Sequence, residues 1–381
     1  MLPEKRKLEV MEESPVVVAN KRSGAKRKIR SVAELKDDLR EDTSPSSVLP
    51  DDSQLEDLLG LRTGSLPFHL MGPVLLEPIR YLTECPGKKI RGHLVRLGYE
   101  LARSDRPITP ADRKRCRLGA EVLELIHAGS LVADDIEDGS KERRGQPALH
   151  HKFGLPVALN AGNWLYFWPF QLVREMDLSP ENELFVYRLY HRTMLRAHFG
   201  QALDVGLNID SLDQGQIPAV CLASMELKTG ALTSFALVMG GLLGGASDRL
   251  LTLLDEFGHR FGILLQMFDD LGNVQGRRDP AKRYEDLILQ RPSWVWACVA
   301  ENYPKEAFDE FAVAVGRLPD ERLLGEWIDR FAFQWTAKRQ AENYLEKISA
   351  ELKTAIGNMD YNKNALQRLI ALGATVSKAY E

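Results

Sequence analysis

No two of the four cysteines, Cys85, Cys116, Cys221 and Cys298, are spaced as a Cys-x-x-Cys pair. That spacing argues against a zinc site or a disulfide framework and suits a reducing, cytoplasmic compartment. Neither GxxxxGK[ST] nor GxGxxG occurs, which disfavours nucleotide phosphates held by a glycine loop. A formal net charge of −4 over 381 residues gives no global pull toward nucleic acid or a membrane surface. The longest uncharged run, "ALTSFALVMGGLLGGAS" at 231–247, falls just short of a membrane span and contains four glycines; it reads as a buried helix, and no membrane span is expected. No alternating strand pattern and no repeat of fixed period is found.

What is present divides unevenly. Residues 1–30 carry nine Lys or Arg against four Glu, and 31–57 carry nine acids against Lys36 and Arg40. Residues 1–60 are therefore expected to form a disordered, charged tail, with "KRSGAKRKIR" as its basic segment. Residues 61–381 are expected to form a single all-α domain. The 44% hydrophobic composition can fill a large core, and apolar residues recur at intervals of three and four, as in Phe257, Phe261, Leu264, Phe268 and Leu271.

Two acidic clusters lie on apolar-periodic helices. In "LVADDIEDGS", Asp134 and Asp138 are four apart and share one helical face, with Asp135 beside them. In "QMFDDLGN", Asp269 and Asp270 follow Gln266 by about one turn and precede Asn273. Oxygen-rich clusters without thiols suit Mg²⁺, which is held by a few carboxylates together with substrate phosphate oxygens. Basic residues accompany them: Lys88 and Arg91 in "PGKKIRG", the pair Arg143 and Arg144, Lys228, Lys282 and Arg291. Guanidinium forks and lysine point charges of this kind suit two phosphorylated ligands.

These stretches resemble the trans-isoprenyl diphosphate synthases, the polyprenyl synthetase family. "GKKIR", "DDIED", "RRGQP", "GQALD", "KTG" and "QMFDD" match its elements in order, as do the spacing from Lys282 to Asp286 and "RPSW" from Arg291. The resemblance implies an isoprenoid-synthase-type helical bundle with a central active-site cavity, a homodimer, and three Mg²⁺ ions held by Asp134, Asp138 and Asp269, with Asp135 and Asp270 supporting from behind. It implies that Arg143, Lys228, Lys282 and Arg291 hold an allylic diphosphate, and that Lys88, Arg91, His127 and Arg144 hold isopentenyl diphosphate. Thr229 and Gln266 would face the reacting allyl group, so that Lys228, Thr229, Gln266 and Arg143 form the catalytic set. Its rivals are a class I terpene cyclase, against which Asn273 and Arg277 mismatch the expected second motif, and a non-catalytic synthase subunit, against which all three ligand acids are retained. Asn273, Arg291 and Pro86 depart from the family pattern without removing a required charge.

A chain growing from Asp134 runs back along its own helix, where Ser130 and Gly129 lie about 6–7.5 Å away. Short-chain relatives close that level with aromatics. The small pair implies an open floor and a product of at least twenty carbons, unless Trp164 and Trp168 in "NWLYFWPF" close it deeper down.

Overall fold

The computed structural model describes residues 49–60, 68–85, 87–103, 106–276 and 283–379. The basic segment of the tail, Pro86, Arg277 and Lys282 lie outside them. Apart from a two-stranded hairpin at Glu142–Arg143 and Gln146–Pro147, the described elements are helices, as the periodicity predicts. Six of them position the site: α1 (Ile90–Ala102), α2 (Pro110–Glu137), α3 (Pro180–Gly206), α4 (Ile217–Met225), α5 (Ala231–Gly244) and α6 (Asp248–Gln275).

Within the stretch expected as a charged tail, one helix is described: Asp52–Leu59, with Leu49 and Leu55 buried. Charge counting missed a reciprocal cap, in which Gln54 N donates to Asp51 Oδ1 at 2.8 Å and Asp51 N donates to Gln54 Oε1 at 3.1 Å. That cap starts a helix whatever the surrounding charge.

The helix starts are legible in their residues. Thr109 and Asp112 form a capping box ahead of Pro110, and Ser247 accepts from Leu250 N at the start of α6. Gly276, at φ 64°, ends α6 in the left-handed conformation that glycine adopts without strain.

The uncharged run forms α5, whose side chains are almost all buried. The 28-residue stretch from Ile217 to Gly244 is apolar and long enough to span a membrane, but 78% of its apolar window is buried inside the protein. It is a core helix. Glycines on both helices let α1 approach it backbone to backbone: a Cβ on Gly98 of α1 would lie 2.5 Å from Leu237 O, and one on Gly244 of α5 would lie 2.5 Å from Tyr99 O.

Between α4 and α5 the helix widens into a π-turn at Glu226–Gly230, where Ala231 N bonds back to Glu226 O. A π-turn accommodates one extra residue and re-aims its neighbours. Lys228 and Thr229 sit on it.

Candidate active site

At the end of α2, Asp134 and Asp138 lie one turn apart, and Asp138 N bonds to Asp134 O at 2.9 Å. The hairpin that follows turns at Arg144 (φ 55°) and Gly145 (φ 74°), the paired positive φ of a tight I′ connection. It folds Arg143 back onto Asp135: Nε lies 3.0 Å from both carboxylate oxygens and Nη2 lies 2.5 Å from Oδ1. Asp135 is buried beneath this fork. Arg143 Nη2 lies 3.8 Å from Asp134 Oδ2, so the side chain expected on the allylic diphosphate is anchored to a neighbouring acid.

The other cations behave alike. Lys228 Nζ lies 2.9 Å from Asp134 Oδ1 and 2.6 Å from Asp204 Oδ2. Arg291 donates to Asp138 Oδ1 at 2.9 Å and to Asp204 O at 3.2 Å. Gln201 Nε2 bridges Asp134 Oδ1 at 3.2 Å and Glu137 Oε2 at 2.5 Å. Burial pushes the Asp134 carboxyl up, but Lys228, then Arg143 and Gln201, hold it below its usual range. Asp138 goes the other way, to about 6, driven by burial and then by the charge of Asp134.

On α6 the adjacent acids point apart. Asp269 is exposed and Asp270 is buried. Asp270 accepts from Gln266 Nε2 at 2.7 Å and from Trp294 N at 2.6 Å. Burial is the main cause of its raised carboxyl, with Asp269 and Asp204 adding to it. Thr229 donates from Oγ1 to Gln266 Oε1 at 2.8 Å, so the π-turn and α6 meet at the two residues expected beside the allyl group.

A second cluster of basic residues surrounds His127 on α2. Burial, then Arg91, Arg144 and Arg143, hold its imidazole well below the usual range. Arg144 donates to Cys85 O at 3.2 Å, and a Cβ on Gly87 would lie 2.6 Å from its Nη1. Gly87 is therefore the residue that lets this guanidinium lie against the chain before α1. Lys88 lies between Gly87 and the start of α1.

Gly129 does not border open space. Gly129 packs against the chain opposite: a Cβ there would lie 2.9 Å from Gly162 O and 3.1 Å from both Leu165 Cβ and Tyr166 Cε1. Ser130 Oγ donates to His127 O at 2.8 Å. Trp164 and Trp168 stack on each other at 5.1 Å. Tyr166 is the aromatic that meets Gly129; burial, then the charges of Glu137 and Asp134, push its hydroxyl up to about 12. The Tyr166 backbone carbonyl accepts from Tyr190 at 2.7 Å, and Tyr190 packs on Phe170 at 4.2 Å.

Asp204, Gln201, Glu137 and Asp286 also stand among these groups, although the sequence assigns none of them a role. The first two lie in "GQALD", which was noticed as a stretch without roles for its polar members. Asp286, four residues after Lys282, is raised well above its usual range by burial and then by Asp270, Asp204 and Asp269. Among the described residues no three acids or imidazoles gather closely enough to hold a metal as they stand. The donor set is nonetheless carboxylate throughout, and Asp138, Asp270 and Asp286 are raised by burial first and by neighbouring acids after it. Such a set fits a hard divalent cation arriving with an anionic ligand.

Comparison with known proteins bears on the family and the fold. A family model described as polyprenyl synthetase matches residues 72–321. A geranylgeranyl diphosphate synthase of Methanosarcina mazei is 33% identical over 226 residues, covering 56% of this chain and 66% of that protein, just under two thirds of its length. A short chain isoprenyl diphosphate synthase of Methanothermobacter thermautotrophicus is 30% identical over 259 residues, covering 68% of this chain and 76% of that one. The crystal structure of a geranylgeranyl pyrophosphate synthase from Corynebacterium glutamicum, complexed with isoprenyl diphosphate and magnesium, aligns over 92% of this chain and 99% of that one, with a TM-score of 0.71 at 20% identity. At that identity the likeness establishes the shared all-α fold.

Proposed function

The chain belongs to the polyprenyl synthetase family, and from that premise we propose that it condenses isopentenyl diphosphate with an allylic diphosphate to give an all-trans prenyl diphosphate of twenty carbons or more. The observation that carries this reading is the pairing of two sites across α2. On one side Lys228 spans Asp134 and Asp204, with Thr229 on Gln266 beside it. On the other, the charges of Arg91 and Arg144 act on His127. A terpene cyclase has no use for the second pocket.

The reaction breaks the allylic C–O bond, and the diphosphate leaves with the electron pair. The isopentenyl double bond then forms the new C–C bond, and one proton is lost to the departed diphosphate. Mg²⁺, held as three ions by Asp134, Asp138 and Asp269, would supply the divalent charge that stabilises the leaving group. Lys228, Arg143 and Arg291 add fixed positive charge there, as would Lys282. Asp135 and Asp270 support from behind, the first through Arg143 and the second through Gln266 and Trp294 N. The Thr229 and Gln266 oxygens face the cation as preorganised dipoles. Lys88, Arg91, Arg144 and neutral His127 orient the second substrate, and the apolar bundle keeps water away from the cation.

The test is incubation with Mg²⁺, labelled isopentenyl diphosphate and a series of allylic diphosphates, with products sized by chain length. Elongated prenyl diphosphates are expected. Consumption of the allylic substrate without isopentenyl incorporation would instead identify a cyclase, and no consumption of either would leave a non-catalytic subunit.

The burial of these acids sets a pH dependence. The Asp138 carboxyl is raised from 3.8 to about 6, so its contribution to stability is present below its unfolded value and is lost as pH rises through about 6. Asp270 and Asp286 act in the same sense; Asp134, lowered, acts oppositely and loses its contribution on acidification. Bound Mg²⁺ should cancel the first loss. Its addition is expected to raise the thermal midpoint more at about pH 7.5 than at about pH 5; equal increments at both would argue against Asp138 as a ligand.

Tyr166 supports a floor one layer below Ser130. Tyr166→Ala is expected to shift products toward longer chains with little change in allylic ionisation rate, as product chromatography against a chain-length ladder would read. An unchanged distribution would place the floor elsewhere.

The apolar side chains Leu184, Phe185, Leu195 and Phe199 are exposed on α3, Phe199 to 66%. A face of this kind supports a homodimer, which sedimentation velocity would measure. Four unpaired thiols suit a cytoplasmic setting.

A further inference from the structure

The π-turn is pressed between two helices. On the α3 side, a Cβ on Gly200 would lie 2.8 Å from Leu227 C, just before Lys228. On the α6 side, a Cβ on Gly262 would lie 2.6 Å from Gly230 N, and one on Gly258 would lie 2.8 Å from Ser234 N. With backbones this close, little separates the turn from α6 except one polar side chain. Thr233 is 0% exposed. Its Oγ1 lies 2.7 Å from Gly258 O on α6, 3.0 Å from Gly230 O and 3.1 Å from Thr229 O.

A hydroxyl has one hydrogen, so Thr233 can donate fully to one of these three carbonyls at a time. The shortest approach crosses to α6. The other two carbonyls belong to the π-turn, where the hydrogen-bond register shifts from four residues to five. Two rows then run side by side toward the acids. Thr233 and Thr229 lie one turn apart on one helix; Gly258, Gly262, Gln266 and Asp270 follow at successive turns on the other. The rows are bonded at the bottom by Thr233 to Gly258 and at the top by Thr229 to Gln266.

We propose that Thr233 is a positioning residue: its buried hydroxyl fixes the height of the π-turn on α6 and so sets where Thr229 and Lys228 stand against Gln266 and Asp134. The inference rests on the prenyl-transfer reading. Loss of the hydroxyl removes the bond that ties the turn to the Gly258 carbonyl in a buried seam. The turn then relaxes, and the allyl-facing pair at its top shifts with it.

The experiment compares Thr233→Val, which keeps the shape and removes the hydroxyl, with Thr233→Ser, which keeps the hydroxyl and removes a methyl. Wild-type turnover must first be established; if it is absent, the prenyl-transfer reading fails and not this one. With turnover present, Thr233→Val is expected to lower kcat about tenfold or more while the KM for isopentenyl diphosphate changes less than about twofold, because that pocket lies on α1 and α2. Thr233→Ser is expected to stay within about threefold of wild-type kcat even though its thermal midpoint falls, since it also opens a small cavity. Should Thr233→Val not fold, Thr233→Ala removes the same hydroxyl without adding bulk, and the same split is expected. Wild-type kcat in the folded hydroxyl-free variant, or equal losses of kcat in the Ser and Val proteins, would overturn the proposal.

Discussion

Asp134→Asn is expected to reduce prenyl transfer by about a thousandfold or more, the scale reached when preorganised charge is taken from a leaving-group site. The amide keeps the shape of the carboxyl but loses a ligand charge. It also weakens the 2.9 Å contact to Lys228 Nζ. The fold is expected to survive, because Lys228 keeps Asp204 at 2.6 Å and is not left as a buried, unpaired cation. The comparison variant is Asp135→Asn. Asp135 is seated on Arg143 and buried, so its loss should act through the position of Arg143, with a smaller drop in turnover and a larger drop in thermal midpoint. Single-turnover rates and melting curves on the two proteins separate these outcomes; near-normal turnover in well-folded Asp134→Asn would remove this residue from the metal set.

Gly240→Val should be the most damaging substitution to stability. A Cβ at this position would overlap the Val95 carbonyl, with Tyr99 N only 2.9 Å away. Both neighbours are backbone of α1, so no rotamer change can relieve the contact; the helices must part. Separation opens the buried layer formed by Leu94, Leu97, Leu101, Phe235 and Val238. A loss of at least about 4 kcal/mol is expected, read as a melting point lower by roughly 10 °C or as insoluble protein. Gly325→Ala serves as the control, since its Cβ would meet nothing within 4 Å and should leave stability level or slightly higher. A Gly240→Val protein that melts like wild type would mean that the α1–α5 seam is looser than these distances imply.

Part of this site could be read in the sequence because it is local. Asp134 and Asp138 share a face by helical spacing alone, whereas the opposite sides taken by Asp269 and Asp270 are implied only by the family resemblance. What could not be read depends on distant partners. Nothing in "GQALD" announces that Asp204 will meet Lys228 or that Gln201 will bridge Asp134 and Glu137. The π-turn leaves no mark either, since Glu226–Gly230 has the composition of an ordinary helical turn. Gly129 shows the limit most plainly. Spacing places it correctly, one turn or so below Asp134, but glycine can mean space or contact, and only the chain lying opposite, at Gly162 and Tyr166, decides for contact. Folded residues 49–59 escaped a charge count because one Asp–Gln cap and two buried leucines are local features that composition averages away.

The hairpin after α2 joins the two pockets through adjacent residues. Arg143, on a strand, faces the acids, and Arg144, at the turn, faces Cys85 and Gly87. Strand side chains alternate sides, so a slip of one residue reverses them. Deleting or inserting a single codon between Gly139 and Arg143 would therefore turn Arg143 away from the acids and move Arg144 off the turn, disturbing both proposed diphosphate sites at once. In a genetic screen such a lesion would score with the double knockout rather than with either point mutant, and shortening this loop is a poor route to a tighter enzyme.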